Sequence, residues 1–304
     1  MNDLSSKITI PTPPVMAKAM EDGMLAKAMN PAWKVFLLGL TGGAYIAFGF
    51  IMFVTTQQGA PGEFPLGVTR LIGGMAFATG LIMVINSGSD LFTGTTMTVM
   101  PLLSKRLAPG RFATHWLISY TANFIGSVFV AVLIFLAGTH ASNKSAWGLV
   151  VLNTTQAKVN LDWGHAFFLG ILANTLVCMA VWMTFAGRSF FDKALAIVVP
   201  LMIFVGTGFE HSVANMFMLP MGWLIKTFGN DAFWAGEAIQ NAGVSASDFD
   251  SISWTSIWVN NLIPVTLGNI IGGALFVGTY FWLAYRKDAV KKEQAELASE
   301  AAQK

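Results

Sequence analysis

The chain has 304 residues, of which 54% are hydrophobic and only 11% are charged, and its formal net charge at pH 7 is +2. A soluble domain carries roughly 25% charged residues, so this composition excludes an ordinary water-soluble fold and indicates a polytopic membrane protein. The single cysteine, Cys178, excludes an intrachain disulfide and a cysteine metal cluster.

The N-terminal segment, residues 1–30, lacks a compact apolar core followed by a small-residue cleavage site. We therefore expect no cleavable signal peptide. Within this segment, residues 14–29 predict a cytoplasmic amphipathic helix. At the other end, residues 287–304 form a charged tail that predicts a solvated helix or coil, with a role in solubility and orientation.

Between these ends, charge-free apolar runs predict an all-α membrane domain over residues 31–286. Two of the runs, 71–104 and 194–225, are too long for one simple crossing, because a straight helix of that length would span about 50 Å. Each run is interrupted by one polar knot, at 86–90 and at 206–211. We therefore expect two broken helices.

The basic residues decide how often these long regions cross the membrane. With one crossing each, fourteen of the 18 Lys and Arg residues fall on the side of both termini. The other four are Arg70, Lys144, Lys158 and Lys226. The positive-inside rule then predicts cytoplasmic termini. It also predicts six spans, near 34–56, 69–103, 112–138, 163–187, 194–227 and 255–285, with outward-facing loops at 139–162 and 229–254.

The two halves of the chain resemble each other weakly. The segment 36–40 (FLLGL) matches 167–171 (FFLGI), and 123–126 (NFIG) matches 269–272 (NIIG). Three spans per half is an odd number, so the second copy must enter the membrane from the opposite side. Inverted repeats with discontinuous helices in matching positions are typical of a permeation site near the membrane midplane.

A broken helix in lipid needs protein or water to satisfy its freed backbone groups. The free N-terminus of a half-helix carries positive partial charge, which suits an anion. Gly88 and Gly208 mark the two breaks, and Asp90 and Glu210 are the acidic residues within the apolar spans. Asp90 is a candidate cap for the following half-helix, with direct contact to a solute as the alternative. Thr93 offers a small hydroxyl nearby.

His211 is the histidine deepest within a predicted span. An ionisable group at mid-membrane favours a function, here giving or taking a proton from a weak acid, over a core histidine that stabilises the break. Glu210 either fixes the tautomer of His211 or faces away into the bundle.

Each of the remaining candidate site residues has both a functional and a purely structural interpretation. Asn174 and Asn269 either bridge helices or donate to a passing solute. Lys158 either draws anions to the mouth of the path or is an ordinary solvated lysine. Apolar residues that either form constrictions or simply pack are Phe77, Leu81, Phe204, Leu91 and Phe92.

Sequence motifs of soluble enzymes are missing, including GxSxG, HExxH, P-loop and GxGxxG runs in a suitable context. We therefore expect no catalytic residues, no cofactor, no metal site and no nucleic-acid partner.

Several motifs together resemble the formate/nitrite transporter family, and within it the bacterial formate channels. The resemblance covers about 14–286 and is carried by 89–93 (SDLFT), 170–174 (GILAN), 187–189 (GRS), 208–217 (GFEHSVANMF) and 261–269 (NLIPVTLGN). It implies an aquaporin-like protomer and a homopentamer with one pore per subunit, in the bacterial inner membrane. It also implies a central site at Thr93 and His211, with slits formed by Phe77 and Phe204 outside and by Leu81 inside.

The resemblance further implies a bidirectional, pH-sensitive channel for formate and related small monovalent anions, with protons and membrane lipid as further partners. Nitrite or hydrosulfide is the alternative cargo within the family, and an aquaporin-type channel for neutral solutes is the alternative outside it. The segment 14–29 resembles the family's mobile N-terminal helix, which implies gating and contact with a cytoplasmic formate-producing lyase. The long tail after Arg286 departs from the family pattern and carries no implied role.

Overall fold

The computed structural model describes residues 9–59 and 63–302, so residues 1–8 of the N-terminal segment and 303–304 of the tail lie outside it. Every regular element in the described ranges is helical. The α-helices are α1 (Pro13–Ala28), α2 (Ala32–Gln57), α3 (Leu66–Ser87), α4 (Phe92–Thr95), α5 (Val99–Leu103), α6 (Pro109–Leu136), α7 (Ala146–Val159), α8 (Trp163–Thr184), α9 (Phe190–Gly206), α10 (Ser212–Phe228), α11 (Asp231–Trp234), α12 (Glu237–Ala242), α13 (Trp254–Ser256), α14 (Ile263–Ile270) and α15 (Lys287–Ala302).

Shorter stretches of other helix types connect some of these elements. The 3₁₀ turns are Thr96–Thr98, Thr139–Ala141 and Ala246–Phe249, and the π-helical stretches are Ile257–Leu262, Ile271–Thr279 and Trp282–Arg286. The predicted loops 139–162 and 229–254 therefore contain short helices of their own, including α7 with 14 residues.

Five helical stretches of the described chain are long and apolar enough to cross a membrane. They are Ala32–Gln57, Leu66–Ser87, Pro109–Leu136, Trp163–Thr184 and Ala246–Glu300. The fifth predicted span, 194–227, is divided into α9 and α10, each of 17 residues. A helix of that length rises about 25 Å, so neither half reaches the length of a full crossing.

The two helix breaks occur at the predicted glycines. Gly88 ends α3 with φ 73°, and Gly208 follows α9 with φ 74°. Both angles lie in the left-handed region, where glycine has no Cβ to clash. The chain then runs extended through Leu91 before α4 and through His211 before α10.

Glycines let the helices that carry the repeated sequence motifs pack closely. A Cβ on Gly126 would lie 2.1 Å from the Leu40 carbonyl oxygen, and one on Gly272 would lie 2.2 Å from that of Ile171. The first contact joins α6 to α2, and the second joins the stretch after α14 to α8. Small residues at helix interfaces allow this close backbone approach in membranes. The matching motifs therefore make matching contacts.

The N-terminal helix α1 packs against the short helical segment that follows the first break. Met16, Met20 and Met24 of α1 are buried in one cluster with Met97 and Met100. Methionine side chains are flexible and polarisable, so they fill irregular gaps between elements that meet at an angle. This packing holds α1 beside the first broken helix.

Two arginines also hold α1 through Glu21, whose side chain is fully buried. Arg286 Nε donates to Glu21 Oε2 at 2.6 Å, and Arg106 donates to Glu21 Oε1 at 3.0 Å. Arg106 also donates to Asp22 at 2.7 Å. Partial burial acts to raise the pKa of Asp22, but the hydrogen bond and charge of Arg106 outweigh it and hold that pKa below its ordinary value.

The tail forms the helix α15, and it is not wholly solvated. Arg286 donates through both terminal nitrogens to the Glu293 carboxylate, each at 3.2 Å. Val290 is buried, and Gln294 Nε2 donates to the Ser104 carbonyl oxygen at 3.4 Å. The tail thus begins by packing on the same surface as α1.

Candidate functional site

His211 and Thr93 meet where the two half-helices approach each other. His211 caps α10, and its Nδ1 accepts a hydrogen bond from the Ala214 backbone N–H at 3.1 Å. Since Nδ1 accepts, the proton of the neutral ring lies on Nε2. Nε2 then donates to Thr93 Oγ1 at 2.9 Å. In this bond Thr93 Oγ1 is the acceptor, and no described residue accepts a hydrogen bond from the Thr93 hydroxyl. The hydroxyl is therefore free to donate its proton to a further group.

An asparagine from a neighbouring helix caps each half-helix. At the second break, Asn269 Oδ1 accepts from Ser212 N at 2.8 Å, and its Nδ2 donates to the carbonyls of Gly170 (2.8 Å) and Glu210 (3.0 Å). Asn269 is fully buried and therefore bridges helices, which was one of its two predicted roles.

Asn123 does the same at the first break. Its Oδ1 accepts from Phe92 N at 2.7 Å, and its Nδ2 donates to the carbonyls of Gly39 (2.7 Å) and Asp90 (2.9 Å). At each break, the asparagine side chain therefore makes the same set of three hydrogen bonds with equivalent backbone groups. Such bonds provide the partners that backbone groups require in a membrane interior.

Asp90 does not cap α4, in contrast to the role predicted for it. The N-cap position is Leu91, without a side-chain cap, and the Asp90 carboxylate instead bonds His115 Nε2 at 2.8 Å. Lys27 of α1 lies 3.7 Å from the other Asp90 oxygen and donates to the Ser89 carbonyl at 2.7 Å. Because the Asn123 amide supplies the cap, the carboxylate is available for this ion pair.

Glu210 faces away from the imidazole, so the alternative in which it sets the tautomer of His211 is not what the structure shows. Lys158 Nζ donates to Glu210 Oε1 at 2.6 Å. Asn215 and Asn261 donate to Glu210 Oε2 at 2.7 and 3.1 Å. Lys158 is accordingly neither solvated nor unpaired, since its side chain is only 14% exposed.

Asn174 supports Thr93 from behind. Its Nδ2 donates to the Thr93 carbonyl at 3.1 Å and to the Asn269 carbonyl at 2.6 Å. The Cys178 thiol and the Thr96 hydroxyl also donate to the Thr93 carbonyl, at 3.4 and 2.6 Å. Asn174 therefore joins the two halves of the site and holds the Thr93 backbone in place.

Two cavities lie on either side of this site. The larger, which we call the Lys158 cavity, has a volume of about 440 Å³ and is lined by Lys158 and His211, among others. Phe77 and Phe204 also line it, and their rings meet edge to face with centroids 5.7 Å apart. The Phe204 ring centroid lies 5.8 Å from that of His211. Phe204 is therefore next to the imidazole on this side, and Phe77 packs against Phe204.

The smaller cavity, the Lys27 cavity, has a volume of about 210 Å³ and is lined by Lys27, Leu81 and Leu91, among others. Leu81 and Leu91 thus lie on the opposite side from the phenylalanine pair, as a second apolar narrowing would require. Phe92 lines neither cavity, and it packs instead against Tyr120, with ring centroids 4.9 Å apart. The structure gives Phe92 a packing position and no place at a constriction.

Sequence reasoning missed several polar residues of the site. Asn123 is part of a repeated motif, and Asn215 and Asn261 lie within family motifs, but these patterns do not mark them as site residues. Asn123 occupies the position of Asn269 in the repeat, and that correspondence was a usable signal. His115 gave no signal, because it lies near a span end and contacts Asp90 only through the fold.

A buried polar site between two half-helices, with a cavity on each side, is the architecture of a membrane channel or transporter. A family model described as "Formate/nitrite transporter" matches residues 14–283. The chain belongs to the formate/nitrite transporter family.

Among its relatives, formate channel FocA of Escherichia coli (strain K12) is 41% identical, over 91% of this chain and 95% of its own length. FocA of Haemophilus influenzae is 39% identical, over 88% of this chain and 93% of its own length. These family members are channels, so the prediction that the chain is not an enzyme is confirmed.

Solved structures have the same fold. A structure described as "Pentameric formate channel with formate bound" superposes with a TM-score of 0.77 at 36% identity, over 84% of this chain and 98% of its own. An "FNT family ion channel" superposes with a TM-score of 0.73 at 28% identity, over 88% of this chain and 98% of its own. The all-helical membrane fold and the family resemblance are confirmed.

Proposed function

We propose that this protein is a bidirectional, pH-sensitive channel for formate and similar small monovalent anions. The observation that carries the proposal is the His211–Thr93 pair, buried between the two cavities at the meeting point of the half-helices. Relatives described as formate channels, and a solved pentameric channel described with formate bound, support formate as the cargo. The nitrite in the family's description supports nitrite as the second candidate cargo.

The proposed topology is six spans in two inverted repeats, with the Asn123 and Asn269 caps in equivalent positions. The division of α9 from α10 supports counting them as one broken span, as α3 and the segment after it form another. We place both termini in the cytoplasm of a bacterium, with the protein in the inner membrane. The Lys158 cavity then opens outward and the Lys27 cavity inward.

The proposed mechanism follows from the hydrogen-bond directions. An anion that reaches the site meets the Thr93 hydroxyl, which is free to donate because its oxygen accepts from His211 Nε2. The half-helix N-termini add positive partial charge without a full charge. His211 is the group at the site that can exchange a proton with the cargo, and this exchange makes transport depend on pH.

A full positive charge on the imidazole would require a second ring proton, on Nδ1. Nδ1 already accepts a hydrogen bond from the Ala214 N–H. A proton on Nδ1 would break that bond and place two N–H groups against each other. We therefore favour the neutral ring as the resting form. From that form the ring must first take up a proton from solution. The imidazolium then passes its Nε2 proton through the Thr93 hydroxyl to the anion, which leaves as the neutral acid while the ring returns to the neutral form.

We further propose a homopentamer with one pore per subunit. In the proposed division, 1–30 is the cytoplasmic segment, 31–286 the channel domain and 287–304 the cytoplasmic tail. The position of α1 beside the Lys27 cavity supports a gating role for the N-terminal segment, since Met24 and Lys27 line that cavity. A cytoplasmic formate-producing lyase is the proposed partner of this segment.

Counterflow in proteoliposomes tests the cargo. Labelled formate should enter vesicles loaded with unlabelled formate, and nitrite, lactate and hydrosulfide are tested as competitors. His211→Phe should lose pH-dependent uptake, because the ring that exchanges the proton is gone. Rapid nitrite movement without formate movement would instead assign the channel to nitrite. Unchanged formate flux in His211→Phe would favour a channel for neutral solutes.

A further inference from the structure

The cations paired with Asp90 and Glu210 contribute no net charge to the two cavities. Lys158 is bound to Glu210 at 2.6 Å, and Lys27 lies 3.7 Å from Asp90. An incoming anion approaching either lysine also approaches the carboxylate beside it. Some other charge must therefore supply any long-range attraction for the anion.

Each cavity has one further basic residue in its lining. Arg70 lines the Lys158 cavity, and Lys193 lines the Lys27 cavity. Neither side chain forms an ion pair or hydrogen bond with any residue in 9–59 or 63–302. Each therefore adds one uncompensated positive charge to its cavity.

The two residues occupy similar places in the fold, each near the start of the helix before a break. Arg70 is in the first two turns of α3, the helix that ends at Gly88, and Lys193 is in the first turn of α9, the helix that ends near Gly208. The helices α3 and α9 precede the two breaks, so the free cations lie at opposite ends of the path. Each break is therefore preceded by a helix that begins with one free cation.

The position of Arg70 relative to the narrowing can be read from the helix. Phe77 follows it by seven residues, so both lie on one face of α3, about 10 Å apart along the axis. The two residues between them on that side, Gly73 and Gly74, have no side chains. Phe53 and Gln57 pack against Gly73, and Met202 packs against Gly74. Arg70 nevertheless lines the same cavity as Phe77 and Phe204, so its charge acts on the approach to that pair.

We propose that Arg70 and Lys193 are the anion-attracting residues at the two mouths of the path, one for each direction of transport. This assignment rests on the proposed function and moves the role predicted for Lys158 to a residue whose charge is free. A positive charge in a cleft with low-dielectric walls raises the local concentration of anions, and salt weakens that effect. One charge about 10 Å from the path changes the entrance rate by about two- to fivefold at low salt.

Charge modification at a single cysteine tests this directly. Arg70→Cys and Lys193→Cys are each treated with a cationic (MTSET) or an anionic (MTSES) methanethiosulfonate of similar size. The native Cys178 is fully buried, so wild-type protein reports the background reaction. Lys34→Cys is the matched control, because Lys34 is exposed and lines neither cavity.

Formate influx is measured from each side of oriented membrane vesicles, at about 10 mM and about 1 M salt. Each cysteine substitution should lower influx about two- to fivefold at low salt, from the side of the membrane where the substituted residue lies. The cationic reagent should restore this influx, and the anionic reagent should lower it further. At high salt these differences should vanish. Arg70→Lys should conduct normally and Arg70→Gln should not.

Equal effects of the two reagents, or a loss that persists at high salt, would overturn the proposal, because both indicate a steric effect. A failure of the proposed function is a different result, since wild-type protein would then move no formate at all. If wild-type protein prefers nitrite, the same charge series is run with nitrite and the same sign dependence is expected.

Discussion

Replacing Asn269 by leucine should destabilise the second half-helix and disable transport. The amide makes three side-chain hydrogen bonds, to Ser212 N (2.8 Å), Gly170 O (2.8 Å) and Glu210 O (3.0 Å). Leucine has a similar volume but neither a donor nor an acceptor. Three backbone groups at the break would therefore lose a partner in a buried, water-poor position.

The expected cost follows from the partners that remain. A buried group left without a partner costs about 1–3 kcal/mol, and Gly170 O lies inside α8, where it keeps its helical bond. Ser212 N, at the start of α10, has no such bond, so we expect a total of about 3–5 kcal/mol. For a domain of this size that corresponds to a fall in melting temperature of about 10 °C.

The assay is the loss of monodisperse protein after brief heating in detergent, together with formate uptake per folded protein. Asn86→Leu is the matched control, because Asn86 is exposed and bonds only the Ile82 carbonyl in its own helix. Asn123→Leu should repeat the effect at the first break, where the same three bonds exist. If Asn269→Leu has the same melting temperature as Asn86→Leu and transports formate normally, the Asn269 amide does not hold the half-helix and the reasoning fails.

Substitutions at three further contacts test the structure. Lys158→Met or Glu210→Gln alone should cost about 3–5 kcal/mol in detergent melting, because each leaves a buried charge unpaired, and the double variant should recover part of that loss. Glu21→Gln should weaken the hold of two arginines on α1 and speed its amide hydrogen exchange, while exchange in α6 stays unchanged. Gly273→Ala places a methyl 2.0 Å from Thr96 Oγ1, so uptake should fall at least tenfold in folded protein. Normal values in any of these assays would contradict the corresponding contact.

The sequence predicted the breaks because glycine and polar residues within an apolar run leave few alternatives. Gly88 and Gly208 are at the breaks, and both angles are left-handed. The pairing of His211 with Thr93 could be expected only through the family resemblance. These two residues are 118 positions apart, and nothing in their local sequence records the contact.

The roles of the charged residues could not be predicted in this way. The sequence makes Asp90 a candidate cap for α4, because a short acidic side chain just before a helix often accepts from its first N–H groups. Whether it caps depends on whether another group reaches the same N–H, and here the Asn123 amide comes from a helix about thirty residues away. The ion pair of Lys158 could not be predicted either, because its partner Glu210 is distant in sequence.

The way these charges are paired explains what kind of ion the site can accept. With Asp90 held by His115 and Lys27, and Glu210 held by Lys158, the site around His211 is left with amides, hydroxyls and helix ends. Such dipoles can replace part of the water around a singly charged anion, but a doubly charged anion loses far more hydration energy. Transfer of a proton that the His211 ring has first taken up from solution then removes the remaining charge of a weak acid. On the proposed mechanism, a site built from neutral donors and one titratable ring favours small monovalent weak acids. Such a site should exclude sulfate, even though the positive charges proposed at the two mouths attract sulfate as well.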